Sequence, residues 1–336
     1  MARRFVRFLL ALLFFALLLG AGGVGGLYFW LARPLSMGAA EAVEFRVLPG
    51  MGARGVARAL NAAGVEMEEN LLALAMRLSG QKVIQAGTYS IQPGITPRQL
   101  LQMMAQGKVV QVEVRLIEGW TFREWRQRLR GHPGLEAATE GLSEAEIMAR
   151  IGLAGQMPEG MFFPDTYRVD KYSSDLALFA RAARAMRDHL AREWAARAEG
   201  LPYRNSYEAL IMASIVEKET GLEEDRTMVA GVFINRLRIG MRLQTDPAVI
   251  YGMREAFDGN LRKADLLADT PYNTYTRAGL PPTPIAMPSL ASLRAALHPE
   301  PTRALYFVAK GDGSSHFSTT LVEHNEAVNR YQRRRR

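Results

Sequence analysis

The chain has 336 residues, 48% of them hydrophobic, which is enough to bury a core and excludes a mainly disordered protein. It contains no cysteine, and so no disulfide, thiolate metal site or thiol nucleophile. The formal net charge of +8 suits an anionic polymer or an anionic lipid surface; the arginines are spread along predicted helices, with one dense run at residues 333–336, a distribution that argues against nucleic acid as a partner.

Residues 8–32 carry no charge and consist mainly of Leu, Phe, Ala and Gly, a run long enough to cross a lipid bilayer as a helix. The apolar region of a cleaved signal peptide is shorter, about 7–15 residues, and ends in small residues. This run ends in Tyr28, Phe29 and Trp30, so a retained single-pass anchor over residues 1–33 is expected. Arg3, Arg4 and Arg7 precede the span, whereas Arg33, Glu41 and Glu44 follow it. The excess of positive charge on the first side puts the N-terminus in the cytoplasm and the bulk of the chain beyond the membrane.

Residues 34–41 read as a linker. A strand-like run, a Gly-containing turn and an amphipathic helix then recur: FRVLPG with GARGVARAL, TYSIQPG with TPRQLLQMM, and VRLIEG with TFREWRQRL. Thr96 and Thr121 are placed to cap the second and third helices, and Thr121 with Glu124 has capping-box spacing. Residues 42–108 form one small α+β module on this reading, and residues 109–336 a larger domain in which helices predominate over strands. The overall class is α+β.

Within that domain residues 174–197 form a long amphipathic helix, and the segment SYEALIMASIVEKET forms another, capped by Asn205 and stopped at Gly221. A helix over 225–237 follows. Residues 241–289 are then rich in Pro, Gly, Thr and Tyr with little periodicity, the composition of a cleft wall. A strand LYFVAK and a helix from Leu321 close the chain.

In SYEALIMASIVEKET the apolar residues cover the whole circumference, so burial on most sides is expected. Glu217 falls between Leu210 and Ala213 in projection, with no partner charge on its face. Desolvation and the carbonyl end of its own helix both favour its protonated form, as a general acid requires. On periodicity alone the same residue is better read as an ion-pair partner of Arg226, Arg236 or Arg238. Glu219 points to the opposite side, as a structural or cleft-wall group, and Lys218 is expected in solvent. Glu159 and Asp165, in MPEGMFFPDTYRV, mix carboxylates with aromatics as sugar sites do; a packed turn accounts for them equally well. Gln244 and Asp246 precede a helix-starting Pro247, and Tyr272, Asn273 and Tyr275 lie in a polar-aromatic loop. No histidine pair has metal-ligand spacing; His316 is read in a loop and His324 at a helix start. No nucleophile elbow or phosphate loop occurs, and the glycines of GAGGVGG lie inside the membrane span.

ASIVEKET, GVFINRLRIGMRLQTDPAVIYG, TPYNTYTRAGLPPTPIAMPS and LYFVAKGDGSSHFSTTLVEHNEAV, with EGMFFPDTY upstream, closely resemble the endolytic murein transglycosylases. The resemblance extends over nearly the whole chain, anchor included, and implies that the small module is LysM-like. It implies that Glu217, the first Glu of EKE, is the catalytic acid/base. It implies a lytic cut of the MurNAc-β-1,4-GlcNAc bond in peptidoglycan strands, with 1,6-anhydro-MurNAc ends. Gln244, Asp246, Tyr272, Asn273 and Tyr275 are then expected to bind sugar or peptide, with Glu159, Asp165, Glu219 and His316 as further substrate-binding candidates. Implied partners are glycan strands, the bilayer of the inner membrane and peptidoglycan synthases; no cofactor or metal is expected. A hydrolytic muramidase using Asp246 as second carboxylate and a non-catalytic peptidoglycan-binding scaffold are the competing readings.

Overall fold

The computed structural model describes residues 2–38, 41–78 and 84–333; Ala39 and Ala40 of the expected linker and Arg334, Arg335 and Arg336 of the terminal run lie outside the described residues. The chain forms two compact units: Met1–Val112 with Arg168–Ser173, and Glu113–Tyr167 with Ser174–Arg336.

The first unit begins with helix α1 (Ala2–Ala32), whose lipid-compatible length and composition suit a single membrane span. Near its end Leu27, Trp30 and Leu31 pack against the core of the following module. That module runs β1 (Val43–Val47), α2 (Ala53–Ala62), α3 (Glu69–Leu78), β2 (Gly87–Ile91) and α4 (Pro97–Ala105). β1 and β2 pair antiparallel with Phe45 opposite Tyr89, and the two rings stack at 5.6 Å. Alternation in β1 buries Val43, Phe45 and Val47 against Val56, Leu60, Leu72, Leu100 and Met104. Thr96 caps α4 through the expected capping box with Gln99. α3 was absent from the sequence reading: it sits between two copies of the strand-turn-helix pattern, where packing of Leu72 and Ala75 into the core adds a second helix to the first copy.

The boundary between the units falls within β3 (Gln111–Leu116), β5 (Asp165–Asp170) and β6 (Ser173–Ser174). The second unit also contains α5 (Phe122–Leu129), β4 (Leu135–Glu136) and α6 (Glu144–Arg150). β3 pairs with β5 and β4 with β6. Thr121 forms the foreseen capping box with Glu124. Behind it the rings of Phe122, Phe162 and Phe179 meet at 5.0–5.3 Å in a satellite core.

The main core surrounds α8 (Ser206–Glu219), which packs on α7 (Asp175–Ala195), α9 (Arg226–Arg238), α10 (Asp246–Met253) and α12 (Leu290–Leu297). Residues 209–216 of α8 are buried without interruption, as its all-round apolar sequence requires. Its one buried polar side chain there, Ser214, donates to Ile211 O at 2.7 Å and accepts the Ile285 N–H at 3.0 Å, fastening the chain ahead of α12. α11 (Lys263–Leu267) lies in the long Pro- and Gly-rich stretch, which therefore holds, besides the helix expected at Pro247, a second that its weak periodicity had hidden. The hairpin β7 (Tyr306–Ala309) and β8 (Ser315–Ser318) and helix α13 (Leu321–Val328) complete the unit.

Candidate functional site

Glu217 stands in the last turn of α8, half-buried. None of the three arginines considered as ion-pair partners bonds it among the described residues; Arg236 donates to the carbonyls of Leu305 and Leu243, and Arg238 to that of Gly200. The partner of Glu217 is a neutral residue. Ser289, the N-cap of α12, donates its backbone N–H to Glu217 Oε2 at 2.8 Å and its hydroxyl to the same oxygen at 2.5 Å. The anion that the carbonyl end of α8 disfavours is thus met by the N–H end of α12, which favours it.

The cradle is closed by Gly119 and Trp120. Gly119 N–H donates to Met287 O at 2.8 Å and Met287 N–H to Trp120 O at 2.9 Å, pinning the strand of chain that carries Ser289. Gly119 has φ +72°, and a Cβ there would lie 3.8 Å from Glu217 Cγ, so glycine supplies the backbone conformation at the wall of the site. Lys218, expected in solvent, is exposed along its stem but donates Nζ to Gly119 O at 3.0 Å.

A cleft of about 760 Å³ opens beside this arrangement, lined in part by Lys218, Glu159, Pro247, Ile250, Tyr251 and Ile285. Four of these six come from residues 241–289, the stretch expected to form a cleft wall. Glu159 lies at 5% exposure, accepting the Phe122 N–H and the Tyr251 hydroxyl, both at 3.1 Å. Its desolvation outweighs those two bonds and pushes its pKa up to about 8, with Glu144 and Glu124 adding to the rise. Tyr272 meets Tyr251 edge to face at 5.0 Å and shares a 2.8 Å hydrogen bond with Thr283.

A second cluster forms where two loops are laced together. Gln244 N–H donates to Thr274 O at 3.1 Å and Thr245 N–H to Thr274 Oγ1 at 2.9 Å. Gln244 itself is exposed with φ +52°, an uncommon backbone state for a residue other than glycine. The lacing brings the Tyr275 hydroxyl to Asp246 Oδ1 at 2.5 Å. Burial first, then the bond to Asp246, raises the Tyr275 pKa. Glu219 belongs here also: desolvation, opposed first by Thr245 and then more weakly by Arg236, and assisted by the charge of Asp246, holds its pKa up to about 7.

Asn273, expected among the sugar-binding residues, turns its amide into the loop. It is fully buried; its amide donates to the carbonyls of Asp265, Leu266 and Ala268, and its oxygen accepts the Tyr275 N–H at 2.9 Å. It braces the loop that carries Tyr275. His316 lies in strand β8 instead of a loop, opposite Val308 and 5.6 Å from the Tyr331 ring. Asp165 is exposed at the start of β5 and accepts the Thr166 N–H at 2.7 Å. No hydrogen bond among the described residues joins either of them to Glu217. Ser289 and Tyr251 were missed from sequence. MPS before an apolar run signals an N-cap, but the bond to Glu217 spans 72 residues and has no local signature.

Known proteins resemble the chain over most of its length. The chain is 28% identical to an endolytic murein transglycosylase of Bacillus subtilis, over 92% of this chain and 91% of that protein. It is 25% identical to an endolytic murein transglycosylase of Streptococcus pneumoniae, over 96% of this chain and 64% of that longer protein. A 2.6 Å crystal structure of a yceG-like protein of Listeria monocytogenes superposes with a TM-score of 0.53 at 28% identity, covering 85% of this chain and 98% of that one. The profile of the YceG-like family matches residues 45–330, most of the chain, and the chain belongs to that family.

Proposed function

We propose that this protein is a membrane-anchored peptidoglycan lytic transglycosylase in which Glu217 is the acid/base. The observation that carries the reading is the Glu217 carboxyl: it ends a helix buried over its preceding two turns, is fixed through one oxygen, and adjoins Lys218, which lines a cleft of about 760 Å³ walled by Tyr251, Pro247 and Ile285. The relatives named as endolytic murein transglycosylases support the same chemistry.

Glu217 first gives its proton to the glycosidic oxygen between MurNAc and GlcNAc, and the C–O bond breaks as positive charge develops at the anomeric carbon. The carboxylate then takes the proton of the MurNAc 6-hydroxyl, whose oxygen bonds to the anomeric carbon and closes the 1,6-anhydro ring. One carboxyl serves both steps, and no water is consumed. Tyr272, Tyr275, Gln244 and Asp246 are assigned to sugar or stem-peptide binding. The module of residues 42–108, with its β-α-α-β-α order, is assigned a LysM-like role in positioning glycan. α1 is assigned as an inner-membrane anchor with the remainder of the chain in the periplasm, where peptidoglycan synthases supply nascent strands.

The test is the mass of the products released from purified sacculi. Ends of 1,6-anhydro-MurNAc, lighter by one water than a hydrolytic product, are expected. Reducing MurNAc ends would replace the reading with a hydrolytic muramidase, and no cleavage would leave a binding scaffold.

A further inference from the structure

Both hydrogen bonds that reach the Glu217 carboxyl come from one residue and end on one oxygen. Ser289 N–H and Oγ–H meet at Oε2, at 2.8 and 2.5 Å, while Oε1 accepts no hydrogen bond among the described residues. A carboxyl group free to rotate offers its proton from either oxygen. Here a proton on Oε2 would displace a donor, turning the Ser289 hydroxyl to Ser292 Oγ at 3.3 Å, whereas a proton on Oε1 displaces neither.

We propose that Ser289 is a positioning residue that reserves Glu217 Oε2 as an acceptor and so makes Oε1 the atom that releases and recovers the proton, an inference that rests on the reading of Glu217 as the acid/base. The arrangement suits a reaction in which one carboxyl acts twice. With Glu217 protonated, the proton sits on Oε1 and Oε2 keeps both donors. With Glu217 ionised, Oε2 keeps the same two donors and Oε1, beside Gly119, is left to take the second proton. Neither half of the cycle requires the carboxyl to turn or Ser289 to move, which is what preorganisation of a proton-transfer group demands.

The support behind Ser289 is built to the same end. It is the N-cap of α12, its Oγ also accepting the Ser292 N–H at 3.2 Å. Two residues earlier, Met287 is tied by its N–H and its C=O to Trp120 and Gly119. The carboxyl is therefore held between a helix end and a pinned segment, both in the same compact unit as α8.

A purely structural reading would make Ser289 a helix cap and nothing more, and the two readings part under substitution. Full-length protein in detergent, acting on soluble uncrosslinked glycan strands, gives kcat and KM. Ser289→Ala removes the hydroxyl donor and is expected to lower kcat by about 10- to 100-fold, the range for loss of a hydrogen bond to a charged group, with KM within about twofold of wild type. Ser289→Thr keeps the hydroxyl and is expected to restore kcat to within about threefold. Ser289→Asp preserves capping, since aspartate caps helices as well as serine, but sets a second carboxylate against Oε2; the melting temperature should stay near that of wild type while kcat falls at least as far as in Ser289→Ala. Retention of kcat within about twofold by Ser289→Ala, or its restoration by Ser289→Asp, overturns the inference. Glu217→Gln run in parallel keeps the failures apart: wild-type turnover by that variant sinks the acid/base reading and this inference with it, whereas an inactive Glu217→Gln beside a fully active Ser289→Ala sinks the positioning role alone.

Discussion

Tyr251 donates its hydroxyl to one oxygen of Glu159 while the other oxygen accepts the Phe122 N–H at the first turn of α5, so a single buried carboxyl ties the cleft wall to the aromatic satellite core. The carboxyl holds its proton to about pH 8, against the usual 4.5. The unfolded chain releases that proton near 4.5, and the folded protein keeps it. Stability due to this group is therefore fully present below about pH 4.5 and is lost as pH rises to about 8, a change on the order of a few kcal/mol. Glu159→Gln removes the titration. Its melting temperature is expected to exceed that of wild type at pH 9, with the gap closing toward pH 5. Glu219, held up to about 7, contributes with the same sign, so the slope shrinks without vanishing. Parallel pH profiles for the two proteins would assign the proton elsewhere.

Asn273 spends its amide N–H groups on the carbonyls of residues 265, 266 and 268, and its oxygen accepts the N–H of Tyr275. Asn273→Ala leaves those groups without partners inside the loop. A loss of about 2–4 kcal/mol is expected, seen as a melting temperature lower by roughly 5–10 °C. An unchanged melting temperature with a raised KM would return Asn273 to the sugar-binding set.

What could be read from sequence depended on how far apart the interacting residues lie. Burial of α8 was legible because eight successive residues, 209–216, leave no polar face, and the caps at Thr96, Thr121 and Asn205 were legible because donor and acceptor are three residues apart. The capping box of Ser143 and Glu146 has the same spacing and was there to be found. The partner of Glu217 was not legible, because Ser289 reaches it only after α9, α10 and α11 have been packed between them in sequence. The inward turn of Asn273 was not legible for a related reason: a polar residue among tyrosines looks the same whether its amide turns outward to a ligand or inward to three carbonyls.

α1 has an uncharged span preceded by Arg3, Arg4 and Arg7, which fixes the expected orientation. Protease added to intact spheroplasts should degrade the chain beyond residue 34 and spare at most the anchor. Protection of that bulk until the membrane is lysed reverses the topology.

Glu217 and Glu219 lie two residues apart on α8 and face different surroundings, which makes paired substitution the sharpest test of the chemistry. Glu217 reaches Ser289 and the Gly119 wall; Glu219 is desolvated among Asp246, Arg236 and Tyr275. Glutamine keeps the size of either side chain and removes its capacity to donate and recover a proton. General acid–base assistance is typically worth about 10²–10⁴-fold, so Glu217→Gln is expected to lose at least about 100-fold in kcat while remaining folded. At Glu219 the neutral acid already prevails below about pH 7, and glutamine imitates it, so Glu219→Gln is expected to lose less than about tenfold at pH 6. The measurement is kcat on glycan strands for both variants, with circular dichroism to verify the fold. A Glu219→Gln protein that is the inactive one of the two would move the acid/base from the Ser289 cradle to the Asp246 cluster.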